Sequence, residues 1–321
     1  MQDTITVAGI DTSKAKLDIA IHGSSSCWRV DNTPAGFKLL ATQLATAKVS
    51  KVGIEATGGY ENGVVAYLRA SGLEVHVLQP MQVKALAHMK LMRAKNDRID
   101  ARLIAACTAL VEPQAVEPDQ RLEPLAHHLT FVEQIEEDIA RIKTRLEHIH
   151  DKRLKDIATR DIARLKKRRN TELRRIVKDL EMHADLARRL ELVNSIDGIG
   201  ERTAIALIVR MPELGHISRE EAAALAGLAP YDDDSGGRKG IRRIAGGRSR
   251  VRRSLYAAAM PAAFYWNSGL NELYQRLTKK GKPHKLALIA CARKLLVFAN
   301  TVLERDTPWV SLPRPARSAS V

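Results

Sequence analysis

The feature that most constrains the fold is a stretch without glycine or proline that runs from Leu125 to Asp197. One straight helix over this stretch would extend about 100 Å, at roughly 1.5 Å per residue. We therefore predict an antiparallel helical hairpin that turns between Asp151 and Asp161, with self-association as a homodimer or homotetramer. Apolar residues recur in the first half at steps of three and four, as along a coiled-coil seam: Leu125, Leu129, Val132, Ile135, Ile139, Ile142, Leu146 and Ile149.

The second helix of this hairpin carries a run of basic residues, Lys166, Lys167, Arg168 and Arg169. Such a run is either a solvated helix face or a set of phosphate contacts, and its sequence leaves both interpretations open. The formal net charge of +15 favours a polyanionic partner, nucleic acid before an anionic membrane surface. Aromatic residues make up only 4% of the chain, which argues against base stacking as the main binding device.

Residues 1 to about 111 alternate short apolar strands with helices. Thr33 and Pro34 have the N-cap and first-turn chemistry of a helix start, Gly72 is a helix end, and Pro80 starts another helix. Three consecutive strands followed by alternating helices and strands predict a mixed α/β sheet covered on both faces. The predicted strands are 5–10, 17–21, 27–30, 51–55 and 73–78, and the last helix begins near residue 96.

Four acids in this part are candidate metal ligands. Asp11 and Glu55 each end a predicted strand, and Asp97 and Asp100 lie three apart on one helix face. Hard divalent cations prefer such oxygen ligands, and bound metal can stabilise both oxygens of a phosphodiester displacement. The alternative is structural: Asp11 caps a turn and Asp97 caps a helix.

The segment from Ser195 to Gly200 lies between two predicted helices, as does the hairpin of a helix-hairpin-helix module. Backbone N–H groups of such a hairpin contact DNA phosphate, although a plain tight turn has the same pattern. Asp197 places an acid in this turn, which weakens its interpretation as a phosphate contact.

A glycine-rich basic loop follows Ala229-Pro230 and leads into an arginine-rich helix near Arg248. Backbone glycines can approach a phosphodiester closely while arginines neutralise it. Three acids, Asp232, Asp233 and Asp234, precede Ser235 and have no evident role. The candidate nucleic-acid-binding residues here are Arg238, Lys239, Arg242, Arg243, Arg248, Arg250, Arg252 and Arg253.

Three segments together carry a resemblance to a known family: Gly9-Ile10-Asp11-Thr12-Ser13-Lys14, Ile54-Glu55-Ala56-Thr57-Gly58-Gly59-Tyr60 and Lys95-Asn96-Asp97-Arg98-Ile99-Asp100-Ala101. They resemble the N-terminal domain of the DEDD transposases of the insertion-sequence-110 family, which are related to pilin-inversion recombinases. The run Gly227-Leu228-Ala229-Pro230, then Ser235-Gly236 and the arginines, is similar to the C-terminal domain of the same family. The family usually has proline where Asp197 stands.

The resemblance implies a fold similar to ribonuclease H and the RuvC resolvase, with Mg²⁺ bound by Asp11, Glu55, Asp97 and Asp100. It also implies that Ser235 attacks the phosphodiester and becomes joined to DNA. Because Ser235 is distant in sequence from the acids, the working site would be composite. A guide RNA from the element's non-coding end, pairing with donor and target DNA, is a further implication.

Prolines between residues 113 and 124 indicate a linker. We expect a RuvC-like catalytic domain at 1–115, a coiled-coil region at 122–192, a mostly α-helical transposase domain at 193–310 and a disordered tail at 311–321. Three unpaired cysteines favour a reducing compartment, and no apolar run approaching membrane-spanning length is recognised. These features predict a soluble cytoplasmic bacterial protein acting at the nucleoid.

The leading hypothesis is a transposase that cuts and rejoins DNA at specific sites through Ser235 and the four acids. One alternative is a magnesium-dependent structure-specific endonuclease that uses water for attack. A second is a sugar kinase or actin-like ATPase, whose strand-turn-strand segment also begins with Asp and a following Lys. A third is a non-catalytic nucleic-acid-binding protein, in which the acids are structural.

Overall fold

The computed structural model describes residues 6–92, 97–111, 119–231 and 243–311, and for Asp97 and Arg98 only the backbone. The chain divides into two compact units, residues 1–115 and 116–321. Ser235 and the tail predicted at 311–321, apart from Ser311, lie outside the described residues.

Unit 1 is built on a five-stranded mixed sheet with the strand order β3-β2-β1-β4-β5. The β1–β2 and β2–β3 pairs are antiparallel, whereas the β1–β4 and β4–β5 pairs are parallel. The predicted mixed α/β sheet is therefore confirmed. Its strands are β1 (Thr6–Thr12), β2 (Lys16–Ile21), β3 (Cys27–Asp31), β4 (Val49–Glu55) and β5 (Glu74–Leu78).

The helices of unit 1 are α1 (Pro34–Thr46), α2 (Asn62–Ala70), α3 (Pro80–Met89) and α4 (Asp97–Leu110). The residues predicted to begin and end these helices are confirmed. Thr33 caps α1 by accepting from the Gly36 N–H at 3.3 Å, and Gly72 follows α2 with a φ of 82°. These signals could be identified in the sequence because each is local: Thr33 acts through a side-chain bond to the next helical turn, and Gly72 through its backbone freedom.

The two faces of the sheet are covered differently. Ala8, Ile10 and Ile54 point to one face, where they pack against α1 and α2. Gly9 and Gly53 point to the other face, where α4 lies directly on the strands. A Cβ built at Gly9 would be 2.2 Å from the Ala105 backbone nitrogen, and one at Gly53 would be 1.7 Å from the Thr108 Oγ1.

Unit 2 is mostly helical, as predicted for the C-terminal part. Its helices are α5 (Leu122–Glu147), α6 (Lys152–Glu181), α7 (Ala184–Asn194), α8 (Glu201–Arg210), α9 (Arg219–Leu225), α10 (Ser249–Pro261), α11 (Ser268–Lys279) and α12 (His284–Arg305). A π-helical turn, Ala262–Trp266, continues α10 past Pro261. A short antiparallel ribbon pairs β6 (Pro230–Tyr231) with β7 (Arg243–Ile244).

The helical hairpin forms, but its turn lies at residues 148–151, earlier than predicted. The physical reason is Asp151, whose Oδ1 accepts from the Leu154 N–H at 2.9 Å and thereby starts α6. The seam packs within the chain: Ile135 and Ile139 of α5 cluster with Ile162 of α6.

The base of this hairpin shares the main hydrophobic core of unit 2. Leu129 and Val132 of α5, with Ile176 and Leu180 of α6, are fully buried among residues of α7, α8, α10 and α12. The hairpin and the C-terminal helices are therefore continuous in their packing.

The expectation that no apolar run approaches membrane-spanning length is wrong for α12. This helix has 22 residues, and an 18-residue stretch within it has a mean hydropathy of 1.8, so that by length and composition alone it could cross a membrane. The structure gives another reason for its composition, because Leu288, Cys291, Leu295 and Leu296 are fully buried in the core of unit 2. Asn300 is also buried: its side chain accepts from the Gly215 N–H and donates to the Ile217 carbonyl, both at 2.8 Å.

A charged network joins the hairpin to the helices beside it. Glu133 of α5 is only 5% exposed and accepts from Arg210 at 2.9 Å, from Arg202 at 3.4 Å and from Arg250. Arg202 also pairs with Glu136 at 3.0 Å. One carboxylate thus holds three guanidinium groups from α8 and α10 against α5.

We predict that Glu133→Gln lowers the free energy of unfolding by about 3 kcal/mol, since it removes the anion that pairs with the largely buried Arg210 guanidinium. Urea denaturation measures this change. Glu137→Gln is the matched control, because Glu137 is an exposed partner of Arg253, and such pairs contribute little. Equal stability of the Glu133 variant and the unmutated protein would contradict the prediction.

Candidate active site and nucleic-acid interface

Asp11 and Glu55 lie at the ends of neighbouring parallel strands. Ile10 of β1 pairs with Ile54 of β4, so the two acids are the next residues along adjacent strands. Each acid lies two residues beyond a glycine that faces α4, Gly9 and Gly53 respectively. Because side chains alternate along a strand, both acids also point to the face covered by α4.

Helix α4 runs antiparallel to β4 across this face. Lys51 donates to the Val111 carbonyl at 2.5 Å, and Gly53 lies against Thr108, three residues nearer the helix start. On β1, Gly9 packs against Ala101 and Ala105. The first turn of α4, which contains Asp97 and Asp100, therefore lies toward the strand end that bears Asp11.

The negative charge of Glu55 affects the pKa of a residue on α4, Cys107. Burial raises the pKa of the Cys107 thiol, and the negative charge of Glu55 raises it further. Among the described side chains, no group of three or more His, Cys, Asp or Glu is arranged to hold a metal ion. The structure therefore places Asp11 and Glu55 side by side and directs the start of α4 toward them, while the Asp97 side chain is outside the description.

A second acid lies directly opposite Asp11 in the β1–β2 pair. Asp18 is 7% exposed and accepts from Arg29 of β3, with Nε and Nη2 each 2.9 Å from a carboxylate oxygen. This bidentate pair neutralises Asp18 within the sheet. The structure therefore gives Asp18 a structural role, in agreement with its absence from the acid pattern.

The loop after Glu55 is organised by Glu61. Its Oε2 accepts from the Thr57 N–H at 3.1 Å, the Thr57 hydroxyl at 3.1 Å and the Gly59 N–H at 2.8 Å. Gly58 and Gly59 have φ angles of 80° and 113°, which favour glycine. Glu61 thus fixes the backbone that follows Glu55.

Asn32 connects the loops that follow the two acids. Its Nδ2 donates to the Ser13 carbonyl at 2.8 Å and to the Tyr60 carbonyl at 3.1 Å. Sequence reasoning missed Asn32, because the adjacent Thr33-Pro34 explains it as part of a helix start. Only the pairing of β1 with β4 brings residues 13 and 60 close enough for one amide to bond both.

The ends of the segment that carries Ser235 are held in unit 2. Tyr231 pairs with Arg243 across the β6–β7 ribbon, on either side of residues 232–242, which lie outside the description. Near the ribbon, a Cβ at Gly227 would be 2.2 Å from the Gly246 carbonyl oxygen. The Arg252 Nη1 donates to that carbonyl at 2.7 Å and so ties the two sides together.

The predicted nucleic-acid-binding residues have different surroundings. Arg248 forms a bidentate pair with Glu213 at 2.5 and 2.8 Å, Arg250 pairs with Glu133, and Arg253 pairs with Glu137 at 2.8 Å. Arg238, Lys239 and Arg242 lie outside the described residues, as do Asp232, Asp233 and Asp234.

On α6, Lys166 and Lys167 are exposed. The Arg168 guanidinium lies 5.0 Å above the Phe131 ring, and Arg169 donates to the Asn170 Oδ1 at 2.8 Å. The assignment of these four residues to nucleic-acid binding stays a prediction.

A groove of about 1160 Å³ opens between the β6–β7 ribbon, α10 and α12. Sequence reasoning missed three of its basic residues, Lys282, Lys285 and Arg293. The available signal was the basic segment from Lys279 to Lys285, just before α12.

Ser249, the first residue of α10, also lines this groove, whereas Ser254 is 7% exposed and its hydroxyl lies 3.4 Å from that of Thr203. Of the serines at positions 249 and 254, which follow Ser235 in the arginine-rich helix, only Ser249 is exposed.

The turn between α7 and α8 is packed against its own chain. Gly198 has a φ of 98°, and a Cβ there would be 2.2 Å from the Ala262 Cβ. The Asp197 carboxylate accepts from the Ser311 hydroxyl, and its carbonyl accepts from Asn267 at 3.2 Å. The helix-hairpin-helix-like element is therefore present, and its turn is stabilised by contacts within unit 2.

Two family models match this chain. Residues 8–157 match a model for DEDD transposases of the IS110 group, described as "Transposase", and residues 190–275 match "Transposase IS116/IS110/IS902 family". The first match contains the four acids, and the second contains Ser235 and the arginine-rich helix. Both describe enzymes of DNA transposition.

The chain belongs to the IS110 family of transposases and is a DNA recombinase. It is similar along most of its length to the pilin gene-inverting proteins of Moraxella bovis and Moraxella lacunata. Each is 27% identical over 318 residues, which cover 95% of this chain and 97% of the relative. Family membership removes the kinase and the non-catalytic alternatives.

Among solved structures, RuvC of T. thermophilus in complex with a Holliday junction substrate aligns with a TM-score of 0.28 and 20% identity. The alignment covers 33% of this chain and 93% of that chain. A second Thermus thermophilus RuvC structure aligns with a TM-score of 0.26 and 21% identity, with the same coverage.

We predict that Asn32→Ala lowers the rate of DNA strand cleavage about 10-fold or more, the effect typical of residues that orient catalytic groups. Asn32→Asp should behave alike, since it keeps the shape but loses both N–H donors. A single-turnover cleavage assay measures the change. Asn194→Ala, at an exposed asparagine that ends α7, is the control, and unchanged cleavage by both Asn32 variants would contradict the role.

Proposed function

We propose that this transposase cuts and rejoins DNA at specific sites, with Ser235 as the nucleophile and Asp11, Glu55, Asp97 and Asp100 as a magnesium site. The observation that supports this most is the placement of Asp11 and Glu55 on adjacent strand ends, facing the helix that begins with the other two acids. Ser235 and the acids belong to different units of the chain, and their joint action on one phosphodiester is part of the proposal.

The chemistry of the four acids fits Mg²⁺, because they supply only carboxylate oxygens, the hard ligands that this ion prefers. The neighbouring acids Asp18 and Glu61 are already committed to Arg29 and to the Thr57–Gly59 backbone. A bound Mg²⁺ would supply positive charge at the phosphodiester under attack. The protein's part is to hold the four carboxylates at the sheet end through Gly9, Gly53 and Asn32.

In the proposed reaction, the Ser235 hydroxyl loses its proton to a base and its oxygen bonds to phosphorus. The bond from phosphorus to one deoxyribose oxygen breaks, and the released strand end takes up a proton. Attack by a strand-end hydroxyl on the serine-linked phosphate then rejoins DNA and restores Ser235. The number of phosphodiester bonds is conserved, so no further reactant is needed.

Arginines near the segment can stabilise the phosphate during this step. Arg243 lies in β7, directly after the segment. Arg252 donates to the Gly246 carbonyl, just beyond β7. Arg238, Lys239 and Arg242 belong to the segment itself and are proposed to contact phosphate.

We propose donor and target DNA as partners, together with a guide RNA encoded by the element. The net charge of +15 supports a polyanionic partner of either kind. The DNA that flanks the gene tests the RNA part, because a guide requires a structured non-coding segment at an element end.

Self-association as a homodimer or homotetramer also belongs to the proposal. Since Ile139 packs against α6 within the same chain, a charge at this position would disturb the hairpin itself. Leu154 and Ile157, near the start of α6, are 48% and 39% exposed and are the better positions at which to examine assembly.

We predict that Asp11→Asn and Glu55→Gln each reduce strand cleavage by at least about 100-fold, since a bound metal is worth several kcal/mol to such a step. Both should also weaken Mg²⁺ binding measured by calorimetry, while circular dichroism stays unchanged. The control is Asp31→Asn, an exposed acid paired with Lys16. Undiminished recombination by Asp11→Asn would exclude the assignment.

We predict that the enzyme, incubated with cognate DNA and magnesium and then denatured, carries a covalent DNA adduct that Ser235→Ala abolishes. The adduct is detected as a shifted band and mapped by mass spectrometry. Ser249→Ala is the matched control, because Ser249 is an exposed serine of the same unit. An adduct that persists in Ser235→Ala, or maps to another serine, would refute the role.

Cleavage without any adduct would instead support the endonuclease alternative, in which water attacks. That result would leave the acid assignment standing and would remove only the serine.

A further inference from the structure

The groove between the β6–β7 ribbon, α10 and α12 combines an apolar floor with a basic rim. Tyr256, Leu286 and Ile289 contribute to the floor. Among the described residues that line it there is no acid, and six are basic: Arg243, Arg252, Arg253, Lys282, Lys285 and Arg293. The groove therefore attracts an anion that also has apolar surface to bury.

Some of these cations are already used within the chain. Arg252 bonds the Gly246 carbonyl, and Arg253 pairs with Glu137. Arg243, Lys282 and Lys285 are exposed and form no ion pair with any described residue. These three cations remain available to phosphate groups.

The floor determines which form of nucleic acid fits. Leu286 is 46% exposed although it lies among cations, and the Tyr256 ring is only partly covered. A duplex presents its phosphates outward and keeps its bases stacked inside, so it would leave this apolar surface uncovered. An unpaired strand presents phosphates and base faces together, and bases stack on aromatic side chains.

We propose that this groove binds unpaired nucleotides, with bases over Tyr256 and Leu286 and phosphates on Lys282, Lys285 and Arg243. The inference rests on the proposed function, since it names the form of nucleic acid that unit 2 takes beside the segment carrying Ser235. The small share of aromatic residues in the chain is no obstacle, because this surface uses one ring, Tyr256, and is otherwise aliphatic.

The test is fluorescence anisotropy of the full chain in EDTA, which prevents cleavage. The probes are labelled oligothymidylate, oligouridylate and a DNA duplex, each about 12 units long. We expect at least one single strand to bind more tightly than the duplex. Tyr256→Ala should weaken strand binding about 5-fold or more, the effect of losing one stacked base.

Matched variants distinguish binding in the groove from nonspecific attraction by the net positive charge of the chain. Tyr265→Ala removes a tyrosine that is 66% exposed and does not line the groove, so it should leave strand binding unchanged. Lys282→Ala should lower the slope of log affinity against log salt by about 0.7 for a single strand. Lys280→Ala, two residues away and outside the groove lining, should not.

The outcomes distinguish this inference from the function on which it rests. If the duplex binds as tightly as a single strand or more tightly, and Tyr256→Ala has no effect, the inference is overturned. If Lys282→Ala still lowers the affinity in that case, the groove remains a phosphate-binding site but is not a site for unpaired bases. If the unmutated protein bound none of the three oligonucleotides, that result would instead contradict the proposed function. Thermal unfolding of each variant excludes misfolding as the cause of a weakened affinity.

Discussion

The contact of α4 with the sheet is the constraint on which the structure of unit 1 depends. A helix can lie this close to two strands only where no side chain intervenes, and Gly9 and Gly53 provide that absence. Alternation along each strand then places Asp11 and Glu55 on the same face, two residues further on. The positions of Asp11 and Glu55 therefore depend on two residues without side chains, and Asn32 and Glu61 hold the loops that follow.

The sequence predicted the local structure of unit 1 well, because Thr33, Pro34, Gly72 and Pro80 each act on the backbone next to them. It also identified Asp11 and Glu55 as residues at strand ends. It did not predict Asn32, whose partners, Ser13 and Tyr60, come together only in the folded sheet. Seam periodicity alone cannot distinguish a pairing within the chain from one between chains, and here Ile139 meets Ile162 of the same chain.

Charge was harder to interpret from the sequence in unit 2. Arg248 and Arg250 look like phosphate contacts beside a glycine-rich loop, yet their partners are Glu213 and Glu133, distant along the chain. The groove is instead lined by Lys282, just before α12, and by Lys285 and Arg293 of α12. The sequence gives the number of basic residues, but only the tertiary structure shows which of them already pair with an acidic side chain.

The apolar composition of α12 has a consequence for the order in which the chain folds. The helices that α12 packs against, among them α7 and α10, all precede it in the chain and are synthesised first. Their apolar surfaces therefore stay exposed until Leu288, Leu295 and Leu296 have been synthesised, and only then can the core of unit 2 form completely. Unit 1 has no such dependence, since its strands and helices are complete by Leu110, and it can fold while unit 2 is still being made.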